Sequence, residues 1–332
     1  MGATKKAAPV VVSGTRPTGA LHLGHLNGAL KNWVRLQETS RCFFFVADWH
    51  ALTTDYASPA AIRENTEAMI LDWLAVGLDP SRSVIFRQSH VPEHAELHLL
   101  FSMIIPVPWL ERVPTYKEQQ EQLEGRDLST YGFLGYPLLQ AADILIYKAA
   151  AVPVGEDQLP HVELTREVAR RFNRLYGDVF PEPKGLVVEA ARVPGTDGRK
   201  MSKSYGNAVA LTDDADTVYA KLVRMVTDPR RQRRTDPGDP KDCPAFRLHE
   251  IYCTPEERAE LSEGCRKATI GCVDCKKVMI RHVQAELGPI QERRSELAAK
   301  KGVVAEVLGE GRRRAAEVAE ETMGEVRRGM GL

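Results

Sequence analysis

Val10-Val11-Val12-Ser13-Gly14-Thr15-Arg16-Pro17-Thr18-Gly19-Ala20-Leu21-His22-Leu23-Gly24-His25 is the stretch that decides the fold. The β-branched triplet reads as a short strand, the residues around Pro17 and Gly19 as a turn, and a helical pattern begins near Leu23. The same alternation continues outward. Cys42 to Ala47 is an apolar run that reads as a buried strand, Ala60 to Val76 has helical spacing, Ser83 to Arg87 reads as a third strand, and another helix follows Pro92. A helix from about Phe133 to Lys148 and one from about Leu159 to Phe172 flank a short strand at Val152 to Val154. Strands alternating with helices imply an α/β fold with a parallel sheet covered on both faces. Ligands in such sheets bind beyond the carboxyl ends of the strands, where Ser13-Gly14-Thr15 lies.

Pro181, Pro183 and Pro194 predict a loosened stretch. Beyond Leu211 the pattern is mainly helical, interrupted by an irregular basic loop holding Arg230–Arg234 and Pro237–Pro240, and the chain finishes in a charged amphipathic helix. The apolar tract Leu99 to Leu110, broken by Pro106 and Pro108, reads as core or as a dimer surface.

The 332 residues suffice for two domains with real cores. Hydrophobic residues make up 43% and charged residues 27%, an ordinary soluble composition. Forty-five basic residues balance forty-five acidic ones, so a nucleic-acid partner has to be met by a local patch, not by the global field. The opening MGATKKAAP is polar, with no signal peptide behind it and no membrane span anywhere, and a cytoplasmic enzyme is expected. Six cysteines in such a chain point to reduced thiols and metal ligation, not disulfides.

Two motifs carry the chemistry. His22-Leu23-Gly24-His25 stands at a helix start, where free N–H groups and the positive dipole end suit phosphates. Gly24 lets a flat base approach the backbone, and imidazoles three residues apart share a helix face. Lys200-Met201-Ser202-Lys203-Ser204 follows Gly195, Gly198 and Arg199, so two lysines on a mobile approach can swing onto a polyphosphate. Read singly, the first is a pair of surface histidines and the second a solvated basic loop. A third set, Cys243, Cys265, Cys272 and Cys275, has the spacing C-x21-C-x6-C-x2-C, and its short pair lets two sulfurs converge on one metal centre.

A HIGH-like tetrapeptide after the first strand followed by KMSKS beyond the last one resembles class I aminoacyl-tRNA synthetases, with Leu23 in place of Ile. Gly155-Glu156-Asp157-Gln158, the tract Tyr136 to Asp143 and the C-terminal Val326-Arg327-Arg328 look like the tryptophanyl branch of bacterial enzymes. Thr227-Asp228-Pro229, Arg233-Arg234 and Asp236-Pro237-Gly238 fit it too, and the resemblance runs from about Val10 to the C-terminus. It implies a Rossmann-type catalytic domain over 1–205 ending in the KMSKS loop. It also implies a helical anticodon-binding domain with the cysteine motif over 206–305, and a C-terminal helix over 306–332 packing back on the catalytic domain.

The implied activity is tryptophan–tRNA ligation, with ATP, L-tryptophan and tRNA(Trp) as substrates, Mg²⁺ on the phosphates and a homodimer as the working form. His22, His25, Lys200, Ser202 and Lys203 would be catalytic, stabilising phosphate charge. Carried over by position, ATP would meet Arg16, Pro17, Thr18, Gly24 and His25, then Gly155, Glu156 and Asp157 on the ribose side, Val193 at adenine, and Lys200, Met201, Ser202, Lys203 and Ser204. For tryptophan, Asp143 stands in an otherwise apolar tract, where a lone carboxylate needs a partner, and an indole N–H is a donor only. Tyr136 and Gln158 would bind the α-amino group, while Val12, His50, Val152 and Val154 wall the ring.

Gln140 stands where the tryptophan pattern has Met, and a Gln–Asp pair suits a phenol as well, so a tyrosine–tRNA ligase is the alternative. A non-catalytic synthetase-like RNA-binding protein and a nucleotidyltransferase with an HxGH element are more distant alternatives, opposed by the intact KMSKS. The cysteine set is similar to that of the subset carrying a [4Fe–4S] cluster. Its first spacing is one residue shorter, which leaves Cys253 as a substitute ligand; zinc is the alternative metal, and Cys42 reads as core.

Overall fold

The computed structural model describes residues 8–57, 59–114, 128–187 and 193–332. The reading of the first seven residues lies outside them. Five strands form one sheet: β1 (Val10–Thr15), β2 (Arg41–Val46), β3 (Ser83–Arg87), β4 (Ala151–Val154) and β5 (Lys184–Val187), in the order β3-β2-β1-β4-β5. All pairings are parallel, with Val12 opposite Phe43, Phe43 opposite Val84 and Val152 opposite Gly185. The order reverses between β1 and β4, which opens a crevice at their carboxyl ends.

The middle strands are apolar on both faces, as buried parallel strands must be. Period-two alternation sends neighbours into two different cores. Val11, Phe44 and Val46 face one side, against Trp33 and Trp73; Phe44 stacks on Trp33 at 4.5 Å between ring centroids. Val12, Phe43, Phe45 and Phe86 face the other.

On the first side lie α1 (Leu23–His25), a π-helical turn at Leu26–Leu30, α2 (Lys31–Leu36) and α4 (Ala60–Val76). The second side is covered by α5 (Glu93–Ser102), α8 (Tyr136–Leu145) and α9 (Leu159–Tyr176). Short helices α3 (Asp48–Asp55), α6 (Val107–Glu111) and α7 (Tyr131–Leu134) connect them.

Beyond the sheet run α10 (Ala215–Val223), α11 (Pro244–Tyr252), α12 (Pro255–Arg266), α13 (Cys272–Ala299) and α14 (Val303–Met330). Met279, Ile280 and Val283 of α13 join the first core, and Arg294 on the same helix donates to the buried Asp72 of α4 at 2.6 Å. α14 returns to the sheet. Ala315, Ala319 and Met323 enter the second core, Arg314 donates to the carbonyls of Pro80 and Ser83, and Arg327 and Glu325 pair with Glu96 and Lys148.

The helix crosses β3 at Gly311, where an added Cβ would stand 1.7 Å from the Ile85 carbonyl oxygen. Backbone cannot yield there as a flexible side chain would. Gly311→Ala is therefore expected to cost about 1–3 kcal/mol or more, read as a lowered thermal melting midpoint.

Two local expectations differ from the structure. The helix expected over Phe133 to Lys148 is two helices meeting at Gly135, because Pro137 favours a fresh helix start, and α8 stops at Leu145. The stretch loosened by Pro181 and Pro183 holds β5, whose residues are largely exposed; prolines preceding an edge strand are compatible with it.

Candidate functional site

A cleft of ≈ 400 Å³ opens at the switch between β1 and β4. Its lining includes Val12, Arg16, His50, Tyr136, Gln140, Asp143, Val152, Val154, Gly155 and Gln158, so the residues assigned from sequence to the amino acid converge there from β1, α3, α8 and β4. Gly28, Ala29, Asn32, Trp33 and His161 line it too, and none of these was singled out in the sequence.

Asp143 is 1% exposed and heavily partnered. Its Oδ2 lies 2.8 Å from Nε2 of His50; its Oδ1 accepts from Nε2 of Gln88 at 2.8 Å and lies 2.6 Å from Nδ1 of His94. Burial alone would raise its pKa, but the hydrogen bonds from His50 and His94 outweigh it and hold the carboxyl well below the usual carboxylate range. Nε2 of His94 meets the Tyr147 hydroxyl at 2.7 Å, and burial pushes that phenol well above its ordinary value. Tyr136 Oη stands 3.3 Å from Nε2 of His161, whose pKa burial lowers to about 4.

The two motifs meet beside the cleft. His22 caps α1: its Nδ1 accepts from the Gly24 N–H at 3.1 Å, and its own N–H donates to Nδ1 of His25 at 3.2 Å. Both Nδ1 atoms act as acceptors, so each neutral ring carries its proton on Nε2. Burial lowers His22 to about 4; burial, then His22 and Lys200, lower His25 to about 3. Both rings are therefore neutral donors near pH 7, not cations.

The KMSKS segment docks directly on this turn. A Cβ on Gly19, whose φ is +127°, would stand 1.9 Å from Nζ of Lys203, and one on Gly24 would stand 3.9 Å from Cβ of Met201. Backbone pairing secures the approach: the Leu23 N–H donates to Val209 and the Leu211 N–H to Leu21. Lys200 and Lys203 are exposed, whereas Met201 and Val193 are buried in the first core, and the Met201 N–H donates to the Val193 carbonyl. Val193 thus stands outside the cleft lining. Pro17 and Thr18 belong to the turn after β1; Glu156, Asp157 and Gln158 form a 3-10 turn after β4, with the Asp157 carboxylate over Gly155. Ser202 and Ser204 flank Lys203 in the docked loop; the Ser204 side chain lies outside the described residues.

Asn207 organises this loop and was not singled out from sequence. It is 2% exposed; its Oδ1 accepts the Ser202 N–H at 2.8 Å, and its Nδ2 donates to Asp197 at 2.7 Å and to the Lys200 carbonyl at 3.2 Å. Asn207→Ala should raise KM for ATP about tenfold, the equivalent of one or two lost hydrogen bonds, with KM for the amino acid nearly unchanged. Steady-state kinetics in each substrate checks this.

The four cysteines gather where helices α11, α12 and α13 end or begin. Cys243 caps α11, Cys265 lies in the last turn of α12, and Cys272 and Cys275 share the first turn of α13. Burial, then the neighbouring Cys243, Cys265 and Cys272, pushes the Cys275 thiol up to about 12. Polar groups stand beside two of them. Arg231 reaches Cys265 at 3.9 Å, Nε2 of His249 lies 3.4 Å from Cys275, and the Lys276 ammonium binds the carbonyls of Val223 and Met225. The four thiols thus lie near one another at three helix ends, with the Arg231 guanidinium beside Cys265.

Cys253 sits on the far side of the His249 ring, 3.3 Å from Nδ1. Its tight grouping with Glu257 and His282 is accounted for by other contacts, since Glu257 closes the capping box of α12 and pairs with Arg281 and His282. Of the basic loop, Arg230 is committed to Asp228 and Asp242, and Arg231 to the carbonyls of Arg234 and Ile270. Cys42 is fully buried in the first core.

Comparison with known proteins gives a consistent result. A family model described as tRNA synthetases class I (W and Y) matches residues 4–288. A tryptophan–tRNA ligase of Thermotoga maritima is 55% identical over 324 residues, covering 97% of this chain and 99% of the relative, and one of Aquifex aeolicus is 46% identical with the same coverage. A crystal structure of tryptophanyl-tRNA synthetase from Campylobacter jejuni, complexed with ADP and tryptophan, superposes with a TM-score of 0.87 at 34% identity, covering 97% of this chain and all of the other.

Proposed function

Because this chain belongs to the class I tRNA synthetases for tryptophan and tyrosine, we infer from its site that it is a tryptophan–tRNA ligase. It activates L-tryptophan with ATP and transfers it to tRNA(Trp). The observation that carries the choice of amino acid is Asp143, a buried carboxylate ringed by donors at the wall of the cleft. Such a group accepts hydrogen bonds and offers none, which matches the donor-only indole N–H.

Activation needs no enzyme nucleophile. The tryptophan carboxylate attacks the α-phosphorus of ATP, the aminoacyl adenylate forms and pyrophosphate leaves; the terminal hydroxyl of the tRNA then takes the aminoacyl group. Catalysis is therefore placement plus stabilisation of phosphate charge. Tyr136 and Gln158 hold the α-amino group, and Val12, Val152 and Val154 enclose the ring together with His50. His22 and His25 offer neutral Nε2–H donors to phosphate oxygens, and the ammonium groups of Lys200 and Lys203 follow the charge as it moves to pyrophosphate. Mg²⁺ bound to the polyphosphate supplies further neutralisation of that charge. Arg16, Gly24, Gly155 and Asp157 bound the nucleotide, with Asp157 accepting from a ribose hydroxyl.

We assign residues 1–205 to catalysis and 206–305 to anticodon binding, with the final helix bracing the catalytic sheet. Cys243, Cys265, Cys272 and Cys275 would hold a [4Fe–4S] cluster; the single short pair Cys272/Cys275 supports that reading over zinc, which more often takes two short-spaced pairs. The cluster would supply a rigid junction of three helix ends beside the tRNA-binding surface. The exposed apolar side chains Leu99, Met103 and Val107 support a homodimer through this face. The enzyme works in the cytoplasm, where tRNA is charged; among the described residues no helix is long and apolar enough to cross a membrane.

The test is amino-acid-dependent ATP–pyrophosphate exchange with tryptophan and tyrosine in parallel. Exchange with tryptophan and not tyrosine is expected. Exchange with tyrosine alone would make Gln140 the determining residue and overturn the assignment.

A further inference from the structure

Behind the wall of the cleft lies a layer of polar side chains that no substrate can reach. Gln88 and His94 are each 0% exposed, and both direct an N–H at the same oxygen of Asp143, Oδ1. Each is itself held in one orientation. The Trp49 N–H donates to Oε1 of Gln88 at 3.2 Å, which turns the amide so that Nε2 faces Asp143. The Tyr147 hydroxyl, kept protonated in its buried setting, donates to Nε2 of His94 at 2.7 Å, which leaves the imidazole proton on Nδ1, facing Asp143.

A carboxylate oxygen has two lone pairs. Oδ1 therefore has its capacity filled from the interior. Among the described residues Oδ2 takes one bond, from His50, a residue that borders the cleft. Among the described residues the unused acceptor capacity of this buried group is thus confined to Oδ2, the oxygen beside the cleft-lining His50.

We propose that Gln88 and His94 are positioning residues for amino-acid selection: by saturating Oδ1 of Asp143 from behind, they present Oδ2 as the acceptor for the ring N–H of the substrate. They touch no substrate and act through Asp143. The inference rests on the reading of Asp143 as the indole acceptor.

The experiment compares ATP–pyrophosphate exchange supported by tryptophan with that supported by its benzothiophene analogue, in which sulfur replaces the ring N–H and shape is nearly kept. The native enzyme should favour tryptophan by about 10- to 150-fold in kcat/KM, the worth of one hydrogen bond to a charged acceptor. Gln in place of His94 can mimic only Nε2, whereas Asn can mimic Nδ1. H94Q and Q88M should raise KM for tryptophan about tenfold, with kcat moved much less, and should bring the preference for tryptophan below about fivefold. H94N should recover most of what H94Q loses.

Melting midpoints and ATP affinity, measured alongside, report whether each variant is folded, and Q88M stands as an independent probe should H94Q fail to fold. Retention of the native preference in folded H94Q and Q88M would overturn the proposal and leave the Asp143 reading intact. So would a loss in H94N equal to that in H94Q, which would mean that packing and not the donor matters. A native enzyme that takes both amino acids equally would remove the Asp143 reading itself.

Discussion

Asp143→Asn is expected to lower kcat/KM for tryptophan by about 100-fold, while the affinity for ATP stays close to native. The loss has two parts. The indole N–H gives up a charge-assisted bond, worth about 1.5–3 kcal/mol or roughly 10- to 150-fold. The carboxamide also presents an NH₂ to a ring of donors from His50, Gln88 and His94, so at least one buried N–H is left facing another. That mismatch costs about 1–3 kcal/mol of stability, visible as a lower melting midpoint. Equal loss in both substrates would place the defect elsewhere.

The second large effect falls on the nucleotide. Lys203→Ala should slow adenylate formation by about 10²- to 10³-fold, the usual cost of removing one preorganised group from developing charge. KM for tryptophan should change little, because Lys203 is on the KMSKS loop and not among the groups lining the cleft. Single-turnover formation of the adenylate, followed by quenched flow, separates this step from binding. The geometry favours Lys203 for this test: its ammonium occupies the space left by the absent side chain of Gly19, in the turn between β1 and α1. The two variants should have opposite signatures, one in the amino acid and one in the chemical step.

The sheet was readable because its central strands are continuous apolar runs, and α4 and β3 fall at the residues expected. β5 was not readable, since an edge strand with an exposed face needs neither alternation nor a long apolar run. The break at Gly135 was hidden by the apolar residues on both sides of it. Asp143 stood out because an acid in an apolar helix demands partners, but the partners themselves did not. Gln88 and His94 come from β3's carboxyl end and from α5, and a spacing of some fifty residues carries no local signal. Gln88 had one available clue, its place directly after a strand where ligands of parallel sheets bind. Asn207 had none, since a polar residue after a basic loop looks the same whether it is solvated or binds the loop backbone at Lys200 and Ser202 and the Asp197 side chain at once. The tautomers of His22 and His25 were also invisible, because they depend on which nitrogen faces a backbone N–H.

The crossing of α14 over β3 has a bearing on biosynthesis. β3 ends at Arg87 and its cover begins at Val303, so about two hundred residues leave the ribosome between strand and cover. At the usual elongation rate of about 5–20 residues per second, the nascent sheet spends on the order of 10–40 s with an unprotected hydrogen-bonding edge. Polysomes translating this message hold many such edges close together. The chain therefore has a window of vulnerability during synthesis that the finished protein no longer has, and chaperone demand should peak before the last helix emerges.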